Sequence, residues 1–279
     1  MQRIFFHIHI WKCAGATFLN ICRNNFGKGF HRDIMLVQDW VLSTQQLRWL
    51  MRYHKWIRCY SCHMLSGELP YDAEDTEVIG VAFVRNPVDR FISSYRYQKA
   101  ANYRGGFAKG KSFSEFYVHA LEEVDNPMWR NGQTYVLGGS RSEEALAGIH
   151  KRMQQGRLIL LVTERFDESC IALEGLFPEQ FKDCSYIRRN VSPQKELITR
   201  SQRSAVSQHM HLDYKLLSLA NDYLDATLER LFPDLHERQQ YLDDFRQRCQ
   251  SKEKHQRRFD AVKSFVSAIK TAVKTVIRL

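Results

Sequence analysis

One segment near the start of the chain has the residue types of a phosphate-binding turn. It reads Lys12-Cys13-Ala14-Gly15-Ala16-Thr17. Such a turn needs backbone N–H groups that point inward with a helix N-terminus behind them. Small residues let the backbone close around an anion, while the lysine adds a charge and the threonine a hydroxyl. The order differs from the Walker A motif, in which the lysine follows the glycines and precedes a magnesium-binding Ser or Thr. An ordinary strand-to-helix turn with an exposed lysine is the structural alternative.

A second segment, from Arg85 to Ser93, has the residue types of another anion site. Its sequence is RNPVDRFIS, and it follows an apolar run typical of a buried strand. Ligands of open α/β sheets bind at such strand ends. Arg90 and Ser93 lie three residues apart on a predicted helix and therefore share one face. A guanidinium and a hydroxyl near a helix N-terminus suit a phosphate dianion. In the alternative, Arg90 pairs with an acidic neighbour and Ser93 faces solvent.

Strands and helices alternate along the chain. The hydrophobic pattern predicts strands over 3–10, 57–63, 78–84 and 157–162. It predicts helices over 17–25, 86–100, 112–123, 143–155, 168–176, 197–208 and 213–231. This alternation indicates an α/β fold with a parallel sheet. Because each anion segment directly follows a strand, the sequence predicts a ligand with two separate phosphate groups.

The two segments together, HIHIWKCAGATF and RNPVDRFISSY, resemble the sulfotransferases that use 3′-phosphoadenosine 5′-phosphosulfate (PAPS). The resemblance is strongest to the carbohydrate branch, which includes uronyl 2-O- and chondroitin-type enzymes and bacterial relatives. It implies a three-layer, P-loop-like α/β fold with a central parallel sheet flanked by helices. It also implies that the turn from Lys12 to Thr17 cradles the 5′-phosphosulfate, and that Arg85 and Ser93 bind the 3′-phosphate. The residues expected at the 5′ end are Lys12, Cys13, Ala14, Gly15, Ala16 and Thr17.

This resemblance implies transfer of a sulfuryl group to an acceptor hydroxyl, on a carbohydrate, with release of adenosine 3′,5′-bisphosphate. Lys12 would stabilise charge on the leaving phosphate, by analogy with phosphoryl transfer. The sulfuryl group carries less charge than a phosphoryl group, so we expect no metal. The acceptor should contact the loops at 99–111 and 126–142, whose basic and aromatic residues, Trp129 and Tyr135 among them, are compatible with an acidic glycan. Weaker matches assign 131–134 and 137–139 to the substrate side, 162–169 to a segment after a strand, and 188–193 to a loop over the nucleotide.

The acceptor hydroxyl needs a general base, and histidine suits this role near neutral pH. We predict His63, which ends the second strand at the place where the family carries a Gly-His pair. His7, His9 and Glu68 are the alternatives, and we expect the two histidines to be structural or to line the nucleotide side. A hydrogen-bonded structural histidine is the other interpretation of His63.

Positive charge is concentrated at the C-terminus. The formal net charge is +10, and residues 245–279 contain ten basic and two acidic residues. The rest of the chain is nearly neutral, which argues against a uniform nucleic-acid-binding surface. The seven cysteines are scattered and no secretory signal precedes them, so we expect free thiols in a reducing, cytoplasmic location. No apolar run is long enough to span a membrane.

Residues 236–279 are predicted to form a basic helical tail after a catalytic domain of residues 1–235. From about Arg257, apolar residues recur every three or four positions with basic residues beside them. They are Phe259, Val262, Phe265, Val266, Ile269, Val273, Val276 and Ile277, flanked by Lys263, Lys270, Lys274 and Arg278. Such a helix either lies on an anionic membrane surface or packs on the domain or another subunit. The oligomeric state is left open.

Other functions compete with sulfuryl transfer. Cys59-Tyr60-Ser61-Cys62-His63 fits the attachment pattern of c-type haem, although the predicted strand is a poor place for it. A zinc site lacks a second Cys/His pair at ligand spacing. A P-loop-type nucleotide or phosphoryl transferase would show magnesium-dependent ATP turnover. A non-enzymatic membrane-surface protein would depend on the tail rather than on Lys12.

Overall fold

A sheet of five parallel strands forms the centre of the molecule. The computed structural model describes residues 2–32, 41–100, 108–187 and 196–277, with side chains to residue 264 and at 267. The strands of this part are β1 (Gln2–Ile8), β2 (Phe30–Arg32), β3 (Cys59–Cys62), β4 (Thr76–Val84) and β5 (Leu158–Val162). Their order is β2-β3-β1-β4-β5, and every neighbouring pair is parallel. The sheet and its flanking helices confirm the predicted α/β class.

The helices of the described part are α1 (Gly15–Phe26), α2 (Thr44–Tyr53), α3 (Pro87–Ala100), α4 (Phe113–Val118), α5 (Gly132–Gly138), α6 (Glu143–Gln154), α7 (Phe166–Leu176), α8 (Arg200–Ser207), α9 (His211–Leu231) and α10 (Leu235–Ile277). They overlap the predicted ranges except for α2 and α5, which the sequence pattern does not predict. A π-helical turn at His119–Glu123 continues α4. Asn86 caps α3 as its sequence predicts, because its Oδ1 accepts a hydrogen bond from Asp89 N at 3.1 Å.

Hydrophobic side chains form two packed regions. The larger joins the five strands to α1, α7, α9 and the start of α10, where Leu242 and Phe245 are buried. The smaller joins α3, α4 and α8 around Phe91, Phe116 and Trp129. The strand faces are almost entirely buried, which is why 78–84 and 158–162 are continuously apolar in sequence.

Helix α10 begins at Leu235, one residue before the predicted helical tail of residues 236–279, although the regular apolar spacing starts only near Arg257. Ion pairs hold much of its first half, so no regular apolar stripe marks it. Arg248 bonds Glu174 at 2.8 Å, and Lys252 bonds Asp183 at 2.8 Å. The division of the chain at residue 235 stays a prediction, although the first turns of α10 belong to the packed body. No described helix is both long and apolar enough to cross a membrane.

Candidate active site

Three side chains that could bind a ligand or transfer a proton follow three adjacent strands at one edge of the sheet. His9 comes directly after β1, His63 after β3 and Arg85 after β4. The register pairs Ile8 with Cys62 across β1 and β3, and the pairing of β1 with β4 places their ends together as well. Carboxyl ends of parallel strands are where open sheets bind ligands. The sequence segments predicted to carry chemistry therefore meet in space.

The loop after β1 is a tight turn into α1. Lys12 and Ala14 adopt left-handed backbone conformations, with φ of 67° and 57°. For residues with a side chain such conformations cost roughly 1–3 kcal/mol, and they cluster at functional sites. Gly15 begins α1 against the ring of His9, and a Cβ there would lie 1.8 Å from His9 Nε2. The N–H groups of Gly15 and Ala16 are at the helix N-terminus, where no intrahelical acceptor exists.

Arg85 connects the two predicted anion segments. Its Nη1 donates to the carbonyl oxygen of Lys12 at 3.1 Å, and its Nε lies 4.0 Å from Glu164 Oε1. The Lys12 ammonium lies 4.3 Å from the centre of the Tyr97 ring. Burial, and then the neighbouring Arg85 charge, lower the pKa of Lys12. Two cations from distant parts of the sequence thus share one place, as a ligand with more than one anionic group requires.

His63 has the geometry of a proton acceptor. Its Nδ1 donates a hydrogen bond to the His9 carbonyl oxygen at 2.8 Å, since a carbonyl oxygen only accepts. In the neutral ring this leaves the lone pair on Nε2. The ring stacks on that of His9 with centroids 3.8 Å apart, and His63 is exposed. A fixed tautomer on an accessible ring suits a general base.

The other predicted bases are less suited. Burial, reinforced by the His63 charge, lowers the pKa of His9 to about 3. His7 is fully buried against Ser61, and burial with the neighbouring histidines lowers its pKa well below the ordinary value. A group that is so hard to protonate is a poor base at neutral pH. The Glu68 carboxylate lies 3.2 Å from Arg152 in an ion pair.

Gln133 connects the two anion segments through hydrogen bonds, a role that the sequence pattern does not suggest. Its Nε2 donates to the Arg85 carbonyl and its Oε1 accepts from Arg85 N, both at 2.8 Å. The same Oε1 accepts from Cys13 Sγ at 3.3 Å. The buried carboxylate of Asp213 then accepts from Gln133 N and Thr134 N. One amide side chain therefore ties both anion segments together, and α9 holds that amide in place.

The segment at 131–134, predicted for the substrate side, is buried instead. Its residues start α5 and pack on Asp213 and Leu212 of α9. Trp129, named with the acceptor loop, is also buried and packs on Phe91 and Phe116. Polar side chains in a turn suggest a ligand surface in sequence, but here they satisfy buried backbone groups.

The remaining predicted binding residues differ in what they present. Arg90 is buried, and its Nη2 lies 3.9 Å from Asp213 Oδ2 and 3.0 Å from the Met128 carbonyl oxygen. This matches the alternative interpretation, in which Arg90 pairs with an acidic residue. Burial raises the pKa of the Cys13 thiol to about 12. The backbone N–H of Cys13 donates a hydrogen bond to Ile10 O. Ser93 is partly exposed on α3, and its hydroxyl makes no hydrogen bond within the described part of the chain. The predicted loop at 188–193, and 101–107 of the acceptor loop, lie outside the described residues.

The haem-attachment pattern does not form a haem site. Cys59 and Cys62 lie on β3 and are both buried. Residues three apart on a strand point to opposite faces of the sheet, so the two thiols cannot reach one ligand. None of the seven cysteines forms a disulfide bond in the described structure.

Comparison with protein families decides the assignment. A model described as the sulfotransferase family matches residues 3–145, just over half of the chain. The chain belongs to the sulfotransferase family. The matched region contains the turn after β1, His63 and the Arg85 segment. The sulfotransferase assignment supports sulfuryl transfer and a parallel-sheet, P-loop-like fold. No individual curated protein matches the chain.

Proposed function

We propose that this sulfotransferase takes its sulfuryl group from PAPS and transfers it to a carbohydrate hydroxyl. The contact between Arg85 Nη1 and the Lys12 carbonyl carries the proposal, because it joins the two anion segments. A nucleotide with phosphate groups at its 5′ and 3′ positions needs two such sites side by side. The family and its resemblance to the uronyl 2-O- and chondroitin-type branch support the donor and the acceptor class. We further propose a reducing, cytoplasmic setting, with which seven cysteines that form no described disulfide are compatible.

The 5′-phosphosulfate is proposed to lie at the N-terminus of α1. There the N–H groups of Gly15 and Ala16, the ammonium of Lys12 and the hydroxyl of Thr17 offer donors. Ala16 has no hydroxyl, so its contribution is limited to the backbone. Cys13 contributes through the shape of the turn, since its thiol faces Gln133. The 3′-phosphate is proposed to bind the Arg85 guanidinium and the Ser93 hydroxyl.

In the proposed reaction, His63 Nε2 takes the proton of the acceptor hydroxyl as its oxygen attacks sulfur. The new O–S bond forms as the bond from sulfur to the 5′-phosphate oxygen breaks. Adenosine 3′,5′-bisphosphate leaves with that electron pair. Lys12 stabilises the charge that develops on the leaving phosphate. The hydrogen bond from Nδ1 of His63 to the His9 carbonyl holds the ring in the tautomer that this step needs.

Calorimetry with adenosine 3′,5′-bisphosphate tests the donor site. We expect the wild-type chain to bind it, and adenosine 5′-monophosphate to bind at least about tenfold more weakly. Arg85→Ala should weaken bisphosphate binding roughly 10- to 100-fold, because charge-assisted hydrogen bonds are lost. Its effect on the monophosphate, which lacks the 3′ group, should be much smaller. Ser93→Ala should show the same selectivity with a smaller loss.

Arg3→Ala is the matched control, because it removes the same charge at the opposite edge of the sheet. Arg3 lies at the amino end of β1 and bonds Glu77 at 2.7 Å. It should leave both affinities unchanged. A wild-type chain that binds both nucleotides equally well would remove the basis for the 3′-phosphate assignment. Transfer from labelled PAPS to a uronate-containing glycan, compared with a neutral glycan, then tests the acceptor class.

A further inference from the structure

The distal segment of α10 is residues 257–277, and its first part lies exposed outside the packed body. Before this segment, Lys252 Nζ of α10 donates a hydrogen bond to Ser185 O of the body at 2.9 Å. From Arg257 to Ser264 every residue is exposed. Phe259 is 64% and Val262 is 62% exposed, although both are apolar. The described structure therefore excludes the possibility that this part of the segment packs on its own domain.

We propose that the distal segment binds the surface of an anionic lipid bilayer. An isolated helix is only marginally stable in water, so a helix whose described apolar side chains, Phe259 and Val262, are exposed needs a partner for its apolar side. Apolar residue types recur through the segment at spacings of three and four, which place their positions along one helix face. They are Phe259, Val262, Val266, Ile269, Val273 and Val276. The partner must therefore offer an apolar region at least as long as the segment.

Charge identifies the kind of partner. The segment has five basic residues and one acidic residue. Lys263 and Lys270 directly follow Val262 and Ile269, so both lie beside the apolar line of the helix. Basic residues beside an apolar face are typical of helices that lie in the headgroup region of a bilayer. Lysines there attract anionic lipids, while the apolar face enters the acyl boundary.

A second copy of the chain fits this face poorly. The apolar spacing by itself is compatible with a pair of helices. However, Arg258, Lys263 and Lys270 border the line, and Asp260 is the one acidic residue of the segment that could oppose them. Two copies would bring like charges together along the seam, and like charges at these positions oppose pairing. A nucleic acid would complement the charge but would leave the apolar face in water.

Vesicle co-sedimentation of the full chain tests the proposal. We expect binding to phosphatidylcholine vesicles that contain about 30 mol % phosphatidylserine, and little binding to phosphatidylcholine alone. Replacing three lysines, Lys263→Gln, Lys270→Gln and Lys274→Gln, should weaken binding about 100-fold, since each contributes roughly tenfold or less. The double variant Phe259→Ser, Val262→Ser should weaken it at least about tenfold at unchanged charge.

A triple variant of the body is the matched control. Lys28→Gln, Lys55→Gln and Lys182→Gln remove the same net charge from exposed positions outside α10. This control should bind vesicles like the wild type. Equal losses in both triple variants would show that total charge alone acts, and would overturn the proposal. So would unchanged binding by the Phe259, Val262 variant.

Sedimentation equilibrium tests the other possible partner of this helix face, a second copy of the chain. A dimer that dissociates in the Phe259, Val262 variant, together with no vesicle binding by the wild type, would show that a second copy covers the face. None of these measurements uses sulfuryl transfer. The bilayer proposal can therefore fail while the proposed function holds, and the proposed function can fail while the bilayer proposal holds.

Discussion

At the scale of single residues, the proposed general base is distinguished by how its ring is held rather than by an unusual residue type. His63 donates from Nδ1 to the His9 carbonyl and stacks on the His9 ring. These two contacts fix the tautomer and the plane of the ring. A sequence shows a histidine at a strand end, but it does not show which nitrogen is free.

Removing the His63 imidazole should therefore abolish proton transfer without emptying the nucleotide site. We expect His63→Ala to lower kcat roughly 100- to 10,000-fold and to change the affinity for adenosine 3′,5′-bisphosphate little. Steady-state kinetics and calorimetry on the same preparation measure the two effects. His119→Ala, a histidine in the π-helical turn, is the control. An unchanged kcat in His63→Ala would assign the base to another group.

Gly15 is a position where one methyl group should matter. Its Cβ would lie 1.8 Å from His9 Nε2, so Gly15→Ala must displace either the His9 ring or the start of α1. Either movement disturbs the N–H groups proposed to bind the 5′ end. We expect at least about tenfold weaker nucleotide binding, since misplacing donors by about an ångström can cost far more. Gly148→Ala on α6, where a Cβ meets nothing closer than 3.8 Å, is the control.

At the scale of elements, the sequence predicts four of the five described strands and the two anion segments, but it does not predict what joins those segments. Long apolar runs identify β4 and β5, whereas β2 has three residues and no such run. Gln133 and Asp213 are eighty residues apart, and a buried polar contact has no periodic signal. The sequence pattern does not predict helix α5, because it is short and follows Asn131 in a left-handed conformation, with φ of 48°.

The Gln133 amide offers a test of that join. Gln133→Leu keeps the size of the side chain but leaves the Arg85 N–H and carbonyl groups unpaired. We expect a loss of roughly 2–4 kcal/mol in the free energy of unfolding, because buried polar groups without partners cost about 1–3 kcal/mol each. Nucleotide affinity should fall as well, since Arg85 and Cys13 lose their common support. Gln154→Leu, on α6, is the control, and full retention of affinity in Gln133→Leu would contradict this role.

Glu174 is one of the carboxylates that attach helix α10 to the body. This carboxylate is almost fully buried and accepts from Arg248, Tyr241 and Cys184 N. We expect Glu174→Ala to lower the free energy of unfolding by roughly 3 kcal/mol, as for other buried ion pairs that lose one partner. Chemical denaturation measures the change. Glu237→Ala, on an exposed face of the same helix, should cost less than about 0.5 kcal/mol.

At the scale of the whole molecule, the buried histidines predict how stability changes with pH. The pKa of His9 is lowered to about 3 in the fold and is near 6.5 in the unfolded chain. Below pH 6.5 the unfolded chain therefore binds more protons, and stability falls as pH falls. Between pH 7 and pH 5 His9 alone should remove roughly 2 kcal/mol, and His7 acts in the same direction.

Urea denaturation at the two pH values measures this change. In His9→Gln the loss between pH 7 and pH 5 should be smaller than in the wild type. The carboxylate of Asp183 does not interfere, because its pKa is lowered to about 2 and its contribution is lost only at lower pH. A wild-type stability that rises toward pH 5 would contradict the burial of these rings.

The continuity of α10 has a mechanical consequence. Residues 235–277 contain neither glycine nor proline, and the same helix that contributes Leu242 and Phe245 to the core continues into the exposed segment. At 1.5 Å per residue the helix is about 65 Å long. Because the described helix is unbroken from Leu235 to Ile277, no flexible linker separates its buried first part from its distal segment. A partner that binds that segment therefore sets the orientation of the sheet edge with the candidate active site, and not only the distance of the protein from the partner.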